Sequence, residues 1–366
     1  MSKKTIIIAV MSIVTIFCNA QISSPNYQNR RWRDVALNMP SDWYKSDEAK
    51  LVAENVLLAQ KEIGGWEKNR DFHKKFSDLE RSYYLNNKSE IGATFDNNAT
   101  TTELRFLAKV YAHNRDERYK EAFLKGLNYI FIAQYENGGW PQFYPVRKGS
   151  VDYSAHITYN DDAMVNTMNF LKEIILDNKE FAALQISNEI KEKAKIAFDK
   201  GVQAILDTQI IVDGKPTVWC AQHDEITLAP AKARSYELAS FSGAESVNIV
   251  LLLMEIDNPS KEIVASIKGA VQWFENNKIE GIRIENTINK DGKRDRVVVE
   301  DKNAPAIWGR FYDLETSQPF FCSRDGVKRN TLAEISYERR NAYSWYTDKP
   351  AELLHKYPEW LKKNKL

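Results

Sequence analysis

The densest group of charged and hydrogen-bonding side chains lies between Trp219 and Ser246, just ahead of an apolar helical pattern. Six acids, bases or cations fall close together there: His223, Asp224, Glu225, Lys232, Arg234 and Glu237. From its ordinary pKa His223 is the obvious general base, whereas a guanidinium stays protonated at almost any pH and suits the binding of anions. The stretch therefore predicts a catalytic or binding site, whose interpretation depends on the role of Arg234.

Two further polar clusters place carboxylates at the start of predicted helices. Asp96 belongs to the cluster 94–105, and Asp161 and Asp162 belong to the cluster 156–164. Because Asp and Asn are ordinary N-cap residues, capping alone explains either cluster. Repetition at two equivalent helices favours a shared function, and oxygen donors from two loops suit a hard cation such as Ca²⁺. The sequence has neither an EF-hand loop nor a Cys/His spacing typical of zinc sites.

A fourth cluster carries two arginines that flank aromatic residues. Arg310 lies in the stretch 306–315, and Arg324 lies in the stretch 319–326. Surface ion pairing is the ordinary role of such arginines, and it contributes little stability. The alternative is bidentate binding of substrate carboxylates, because a planar guanidinium suits a carboxylate better than an ammonium group does. The residues alone leave both roles open.

Amphipathic helices must position these clusters. Apolar periodicity predicts a helix that begins near Glu103 and further helices at Glu117–Gln134, Asp161–Leu176, Ile190–Thr208, Tyr236–Ile256, Lys261–Asn276 and Ala351–Lys362. Short β-segments are predicted at Thr217–Trp219, Gly281–Asn286 and Asp295–Glu300. The turn sequence Asn289–Gly292 joins the last two segments as a hairpin.

A short repeat indicates how the helices are arranged. The heptapeptide Gln60–Trp66 recurs as Gln134–Trp140, and a weaker third copy starts at Gln209. Helix pairs that recur at a fixed period bury their apolar faces only against neighbouring pairs. We therefore predict a mainly α protein, an α/α toroid with long loops and short β-hairpins, whose equivalent loops gather around a groove at one end.

Seven short motifs occur in order between about Ala53 and Trp345: Gly138–Pro145, Asn160–Met164, Trp219–Asp224, Ala233–Glu237, Ser242–Ser246, Trp308–Tyr312 and Ser323–Gly326. Together they resemble the motifs of the family 10 pectate lyases. The resemblance implies an α/α toroid, dependence on Ca²⁺, and cleavage of polygalacturonate (pectate) by β-elimination.

The same resemblance implies roles for individual residues. Arg234 resembles the catalytic base of the family. Asp96 and Asp161 resemble its calcium ligands, and Arg310 and Arg324 resemble its substrate-binding arginines. These five residues are therefore the first candidates for the active site.

Two further residues are expected to contact substrate, and two positions complicate the resemblance. His223 and Trp140 are assigned to substrate binding, with a structural role as the other interpretation of His223. Glu67 follows the first Gly-Gly-Trp, where the family usually has Pro. Asp162 is adjacent to Asp161, so the choice of calcium ligand between them stays open.

Two other functions fit the same residues. An inverting glycoside hydrolase on the same scaffold would use two carboxylates as acid and base, for instance Asp161 with Glu225, and would need no calcium. A non-catalytic pectin-binding protein would keep the aromatic and arginine groove but tolerate Arg234→Lys.

The N-terminal pattern predicts export. A basic start, a short apolar run and small residues give Met1–Ala20 the form of a signal peptide. We expect a loose lead-in over 21–40 and a single catalytic domain over 41–366, in a periplasmic or extracellular protein. Only Cys220 and Cys322 remain in the mature chain, so export permits one disulfide bond.

Composition limits the possible partners. The formal net charge of +1 argues against a nucleic-acid partner but does not exclude an acidic substrate, because a local arginine cluster binds anions on a neutral protein. We expect a monomer that binds polygalacturonate oligosaccharides and has no stable membrane insertion after signal cleavage.

Overall fold

The computed structural model describes residues 26–366. The predicted signal peptide at Met1–Ala20 lies outside the described residues and stays a prediction. Within 26–366, eleven α-helices are joined by long loops and by short two-stranded sheets. The same part of the chain contains no helix with the length and apolarity needed to cross a membrane. The predicted mainly α architecture is confirmed.

The helices are α1 Trp32–Asn38, α2 Asp47–Ala59, α3 Asp78–Asn86, α4 Thr101–Asn114, α5 Glu117–Ala133, α6 Ala163–Ile175, α7 Asn188–Thr208, α8 Glu245–Met254, α9 Lys261–Asn276, α10 Tyr337–Ala342 and α11 Lys349–Asn364. Serine side chains accept a backbone N–H of the first turn of α2, α3, α7 and α9, from Ser46, Ser77, Ser187 and Ser260. These serines satisfy N–H groups that have no partner inside a helix, and so they fix where each helix begins.

The helices pack as two rows. Helices α4, α6 and α8 pack in succession, and α11 packs against α8. Helices α5, α7 and α9 form the second row, because each packs on the next and each also pairs with the helix before it in the chain. Helix α2 packs on both α4 and α5. Helix pairs that follow one another in this way form the predicted α/α toroid.

The glutamine that opens each repeat links neighbouring helix pairs. Gln60, Gln134 and Gln209 follow α2, α5 and α7, and each side-chain amide donates to a carbonyl of its own loop and to a carbonyl of the next helix in the second row. The three second acceptors are Ala122 at 2.8 Å, Ala197 at 2.8 Å and Ser266 at 3.0 Å. The repeat is therefore a structural joint, because a single side chain satisfies backbone groups in two helix pairs.

The tryptophan that closes each repeat is a core residue. The indole N–H groups donate to helix carbonyls in four successive loops: Trp66 to Val56 at 2.8 Å, Trp140 to Ile130 at 2.9 Å, Trp219 to Ile205 at 2.7 Å and Trp308 to Phe274 at 2.9 Å. All four rings are fully buried. The fourth copy, Trp308, lacks the Gly-Gly sequence that marks the first two copies, so the sequence repeat does not include it.

Short antiparallel strands tie the loops together. Their bounds are β1 Ile157–Thr158, β2 Ile211–Val212, β3 Lys215–Pro216, β4 Gln222–His223, β5 Phe241–Ser242, β6 Ile282–Ile288, β7 Arg294–Glu300, β8 Trp308–Gly309, β9 Phe311–Tyr312, β10 Phe321–Cys322, β11 Lys328–Arg329 and β12 Tyr346–Thr347. The pairs are β1 with β4, β5 with β9, β8 with β12, β10 with β11, β2 with β3, and β6 with β7. The first three pairs connect distant loops, whereas the predicted hairpin is confirmed as β6–β7.

Two predicted elements are wrong where loops meet. The helix expected from Tyr236 begins only at Glu245, because Phe241–Ser242 is extended and pairs with β9. The next residue, Gly243, packs so closely on Gly309 that an added Cβ would lie 2.2 Å from its carbonyl oxygen. The strand expected at Thr217–Trp219 is absent from the described chain, in which the hairpin β2–β3 ends at Pro216.

Within the expected loose lead-in, the described residues 32–38 form a packed helix. Helix α1 packs on α4, and Trp32, Val35 and Ala36 are buried in the main core. Cys220 and Cys322 are both free and buried, so the disulfide that export would permit is not formed in this structure.

Candidate functional site

Two turns with the same backbone form the carboxylate side of the site. Asp96–Asn98 precedes α4 and Asn160–Asp162 precedes α6, and the two turns lie side by side. The second and third residues of both are left-handed, with φ of 54° and 61° in the first turn and 51° and 61° in the second. Asn and Asp adopt this conformation more readily than most residues, which explains the polar sequences. The two predicted clusters therefore share one turn conformation, which is repeated before two equivalent helices.

Asp96 is buried and only partly satisfied. Its Oδ2 accepts from the Lys68 ammonium group and from Nε2 of Gln142, the latter at 2.9 Å. Its Oδ1 is buried and has no hydrogen-bond partner among the described residues, and the same holds for Oε1 of Gln142. Unsatisfied buried oxygens are rare and call for an explanation such as a bound ion. Carboxylate and amide oxygens are the donors that Ca²⁺ prefers, so this site fits that ion.

The second turn shows how Asp161 and Asp162 differ. The Asp161 carboxylate is 44% exposed and lies 3.4 Å from Nη2 of Arg310. Oδ2 of Asp162 instead accepts from Asn248 at 2.8 Å and lies 3.7 Å from Lys349, while its Oδ1 is buried without a hydrogen-bond partner among the described residues. Burial raises the pKa of Asp162. Asp161 is therefore the carboxylate that faces the arginines.

Arg310 joins the two sides of the site. Its guanidinium donates to Glu245 and to Oδ1 of Asn160 at 3.1 Å, and it lies 4.6 Å from the centre of the Tyr343 ring. Burial lowers the pKa of Arg310, but the adjacent Glu245 carboxylate outweighs burial, so the net pKa is raised. Arg310 is a fixed positive charge beside Asp161.

Arg234 is held by Glu237 in an i,i+3 pair. Its Nε donates to Oε2 of Glu237 at 2.7 Å, and its Nη2 donates to Oε1. The Tyr343 hydroxyl also donates to Glu237, at 2.8 Å. Burial lowers the pKa of Arg234, but the hydrogen bonds and charge of Glu237 raise it further, so the net pKa is raised. In this structure Arg234 is therefore a protonated guanidinium.

Two tyrosine rings, Tyr236 and Tyr343, each lie close to several arginine side chains. Arg234 lies 5.8 Å from the centre of Tyr343, the ring that Arg310 also faces. Around Tyr236 lie Arg234 at 5.0 Å, Arg324 at 5.6 Å and Arg339 at 4.5 Å. The structure thus brings together the three arginines predicted from sequence.

Sequence reasoning missed Arg339 and Tyr343 as parts of this group. Arg324 is 63% exposed and pairs with Glu338 at 2.9 Å, and Arg339 is a buried neighbour that pairs with the same Glu338. The run Tyr337–Tyr343 combines arginines with aromatic residues, as the stretches around Arg310 and Arg324 do. This combination of arginines and aromatic residues is the sequence feature that could have identified Arg339 and Tyr343 as part of the site.

His223 and Trp140, which the sequence assigned to substrate binding, are both buried side chains with hydrogen bonds to the backbone. His223 is fully buried, its Nε2 accepts from the backbone N–H of Cys220 at 3.0 Å, and its Nδ1 lies 2.9 Å from the Leu228 carbonyl oxygen. A neutral ring protonated at Nδ1 satisfies both contacts. Burial lowers the pKa of His223 to about 4. Trp140 is 1% exposed, and its indole N–H donates to the Ile130 carbonyl in the core.

Glu225 belongs to a different group of side chains from Asp161. Its carboxylate lies 2.9 Å from Nδ1 of His156, and with Asp224 these ligand atoms lie within 4.8 Å of one another. Asp161 is instead beside Arg310. The acid and base of the hydrolase alternative, Asp161 and Glu225, are thus engaged in separate clusters.

Comparisons with known proteins agree with this geometry. A family model described as pectic acid lyase matches residues 60–354. The solved family 10 polysaccharide lyase from Cellvibrio cellulosa is similar at 33% identity over 89% of this chain and 96% of that chain, with a TM-score of 0.72. A mutant of that lyase in complex with trigalacturonic acid is similar at 31% identity over 92% of this chain and 100% of that chain, also with a TM-score of 0.72. No curated protein matches the chain significantly.

The family match covers most of the chain, and the structural similarity extends over nearly all of it. Fold, motif order and sequence identity therefore agree. The chain belongs to the pectic acid lyase family and is a pectate lyase.

Proposed function

We propose that the protein cleaves polygalacturonate by Ca²⁺-dependent β-elimination, with Arg234 as the base, and releases 4,5-unsaturated oligogalacturonides. The observation that carries the proposal is the contact between Asp161 and Arg310, which joins the paired carboxylate turns to the arginine cluster. The complex of the Cellvibrio cellulosa lyase mutant with trigalacturonic acid supports an oligogalacturonate as the ligand.

The reaction needs both sides of the site. The base removes the C5 proton, the C–H electron pair forms the C4–C5 double bond, the C4–O bond breaks, and the leaving oxygen takes a proton from water. The C5 proton is only weakly acidic because the neighbouring carboxylate already carries a negative charge. A bound Ca²⁺ would neutralise that carboxylate and favour the further negative charge. Asp96 and Asp161, with the side-chain oxygen of Gln142, are the residues that would hold the ion.

The arginines supply positive charge that is in place before the reaction. Arg310 is buried and fixed by Glu245, so it needs little reorganisation when negative charge develops at the sugar carboxylate. Arg324 is exposed and paired only at the surface with Glu338, so it is free to bind a carboxylate of the incoming chain. Arg310 therefore stabilises charge, and Arg324 contributes to binding.

Arg234 must lose its proton before it can act as a base, and Glu237 opposes that loss. We propose that Arg234 separates from Glu237 when substrate binds. The neighbouring positive charges of Arg310 and Arg339 then favour the neutral guanidine. His223 is no competitor for this role, because it is buried and both ring nitrogens are engaged by the backbone.

An ultraviolet assay tests the reaction. Purified protein with polygalacturonate and Ca²⁺ should generate the absorbance of a double bond conjugated with a carboxylate. Excess chelator should abolish the increase, and restored Ca²⁺ should recover it. Reducing ends that appear without the absorbance would identify a hydrolase and overturn the proposal.

We also infer that the protein is exported and acts in the periplasm or outside the cell. The support is the form of Met1–Ala20, with its basic start and short apolar run. N-terminal sequencing of protein recovered from the native host tests this, since export with cleavage predicts a mature chain that begins at Gln21. A mature chain that retains Met1 would contradict it.

A further inference from the structure

Lys68 occupies the position of a cation on the Asp96 carboxylate. Its ammonium group contacts Oδ2 of Asp96, the carboxylate assigned to calcium under the proposed function. We propose that Lys68 is an exchangeable internal counter-ion of Asp96, which Ca²⁺ displaces and which therefore sets the calcium affinity of the enzyme. The inference rests on the proposed function, because it takes Asp96 as a calcium ligand.

The Asp96 carboxylate requires a positive charge whether or not calcium is bound. Its side chain is 4% exposed, and burial of an unpaired carboxylate is costly. Gln142 donates one hydrogen bond to Oδ2, whereas Oδ1 has no partner in the described part of the chain. One amide hydrogen bond does not replace a counter-ion. Lys68 supplies that charge in the metal-free enzyme.

Lys68 is placed so that it can leave. Its side chain is 32% exposed, and it lines an open cavity of about 290 Å³ beside the turn, together with Asn69 and Asn97. While paired with Asp96, its ammonium group also lies 5.6 Å from the centre of the Phe143 ring, a weaker contact than the one that Arg147 makes with that ring at 3.7 Å. Movement of a flexible, strongly hydrated lysine toward water therefore needs no change in the backbone.

A neighbouring lysine shows what a permanent pair looks like. Lys61 lies 2.8 Å from Glu67, with only 3% and 12% of the two side chains exposed, and its ammonium group also donates to the Asn87 carbonyl at 2.8 Å. Lys61 is thus enclosed and bonded on two sides. For Lys68, Asp96 is the one hydrogen-bond acceptor found within residues 26–366. The difference distinguishes a structural ion pair from an exchangeable one.

Exchange has a measurable consequence. Because Ca²⁺ and the Lys68 ammonium group compete for one carboxylate, part of the calcium binding energy is used to break the ion pair. Removal of the Lys68 charge should therefore tighten calcium binding and destabilise the metal-free protein at the same time. A lysine with a purely structural role would affect stability but would not improve calcium affinity.

Isothermal titration of Ca²⁺ into the full-length mature protein, without substrate, tests the proposal. We expect Lys68→Met and Lys68→Gln to lower the calcium Kd by about fivefold to tenfold. Arg70→Met is the matched control, since Arg70 lines the same cavity but pairs with Glu67 and not with Asp96. Arg70→Met should change the Kd by less than about twofold. A thermal melt should show a larger calcium-induced rise in Tm for Lys68→Met than for the wild type.

The possible results separate this inference from the calcium site itself. Loss of binding in Asp96→Asn, together with tighter binding in the Lys68 variants and an unchanged Arg70 variant, supports the exchange. Loss of binding in Asp96→Asn with unchanged or weaker binding in both Lys68 variants overturns the exchange but leaves the calcium site intact. Equal tightening by Lys68→Met and Arg70→Met also overturns it, because the effect would then be general electrostatics. Wild-type calcium binding by Asp96→Asn overturns the site and the inference together.

Discussion

The carboxylate side and the arginine side of the site differ in the partners of their charged groups. Asp96 pairs with Lys68 and keeps one buried oxygen that has no partner among residues 26–366, and the Asp161 side chain is 44% exposed. Arg234 and Arg310 are instead paired with the internal acids Glu237 and Glu245, although Nε of Arg310 is buried without a hydrogen-bond partner among the described residues. A cation at Asp96 would therefore replace a single lysine, whereas the arginines must exchange or share internal acids with an anionic substrate. Metal binding and substrate binding would therefore break different ion pairs of the site.

The largest effect should come from the arginine side. Arg234→Ala should lower kcat by about 10³-fold, because a positioned base contributes roughly 10²–10⁴-fold to a proton transfer. Binding of trigalacturonate should change little, since Arg310 and Arg324 remain. Steady-state kinetics with calorimetric binding checks this. Arg234→Lys should also be inactive, and an active Arg234→Lys enzyme would contradict the role of the guanidinium.

The carboxylate side should show the next largest effect. Asp96→Asn should abolish measurable calcium binding and lower activity by roughly 100-fold, because it removes a ligand charge from the site. Asp162→Asn is the control, since Asp162 faces Asn248 and Lys349 rather than Arg310. Its effect should be clearly smaller. Equal losses of calcium binding and activity in both variants would contradict the different roles assigned to Asp96 and Asp162.

Replacement of Glu237 should shift the pH dependence of activity, and so it tests the ion pair on the arginine side of the site. Glu237 raises the pKa of Arg234, so Glu237→Gln should lower that pKa and increase the neutral fraction at any given pH. Activity that needs neutral Arg234 rises with pH, and its rising limb should therefore move to lower pH by roughly one unit. The profile of kcat/KM against pH measures this, because it reports the free enzyme, in which the Arg234–Glu237 pair is intact.

Glu338→Gln serves as the control for that profile. Glu338 pairs with Arg324 and Arg339, and it has no contact with the Arg234 guanidinium among the described hydrogen bonds and ion pairs. Its rising limb should stay in place. A shift in both variants would indicate a general charge effect rather than the Arg234–Glu237 pair.

The smallest effect on catalysis should come from His223, which supports the loop that holds these residues. Its folded pKa is lowered to about 4, whereas an unfolded histidine titrates near 6.5. The unfolded chain therefore binds the proton first, and stability should fall as pH falls from about 6.5 toward 4, by up to about 3 kcal/mol. His223→Gln should flatten this dependence in urea unfolding and leave the pH profile of kcat unchanged. A displaced kcat profile would restore His223 as a candidate base.

The fold was predictable because the Gln and Trp residues that end and link its helix pairs recur in successive loops of the sequence. Gln134 and Trp140 each occur at equivalent places in successive loops, and a helix end followed by Gly-Gly-Trp is visible in the sequence. The wrong helix start at Tyr236 has a nonlocal cause. Residues 241–243 pair with a loop about seventy residues later, and no periodicity within the segment reports that contact.

The sequence by itself determined the helical toroid, the family, and the polar residues of the two turns and the arginine motifs. These features follow from periodicity, residue type and motif order, all of which are visible in the sequence. Only the tertiary structure decided which polar residues are buried and which contact one another. It buried His223 and Trp140, turned Asp161 but not Asp162 toward Arg310, and brought Tyr343 onto the Glu237 carboxylate from 106 positions away. Burial and long-range contacts depend on how the loops close over one another, and that closure has no local signature.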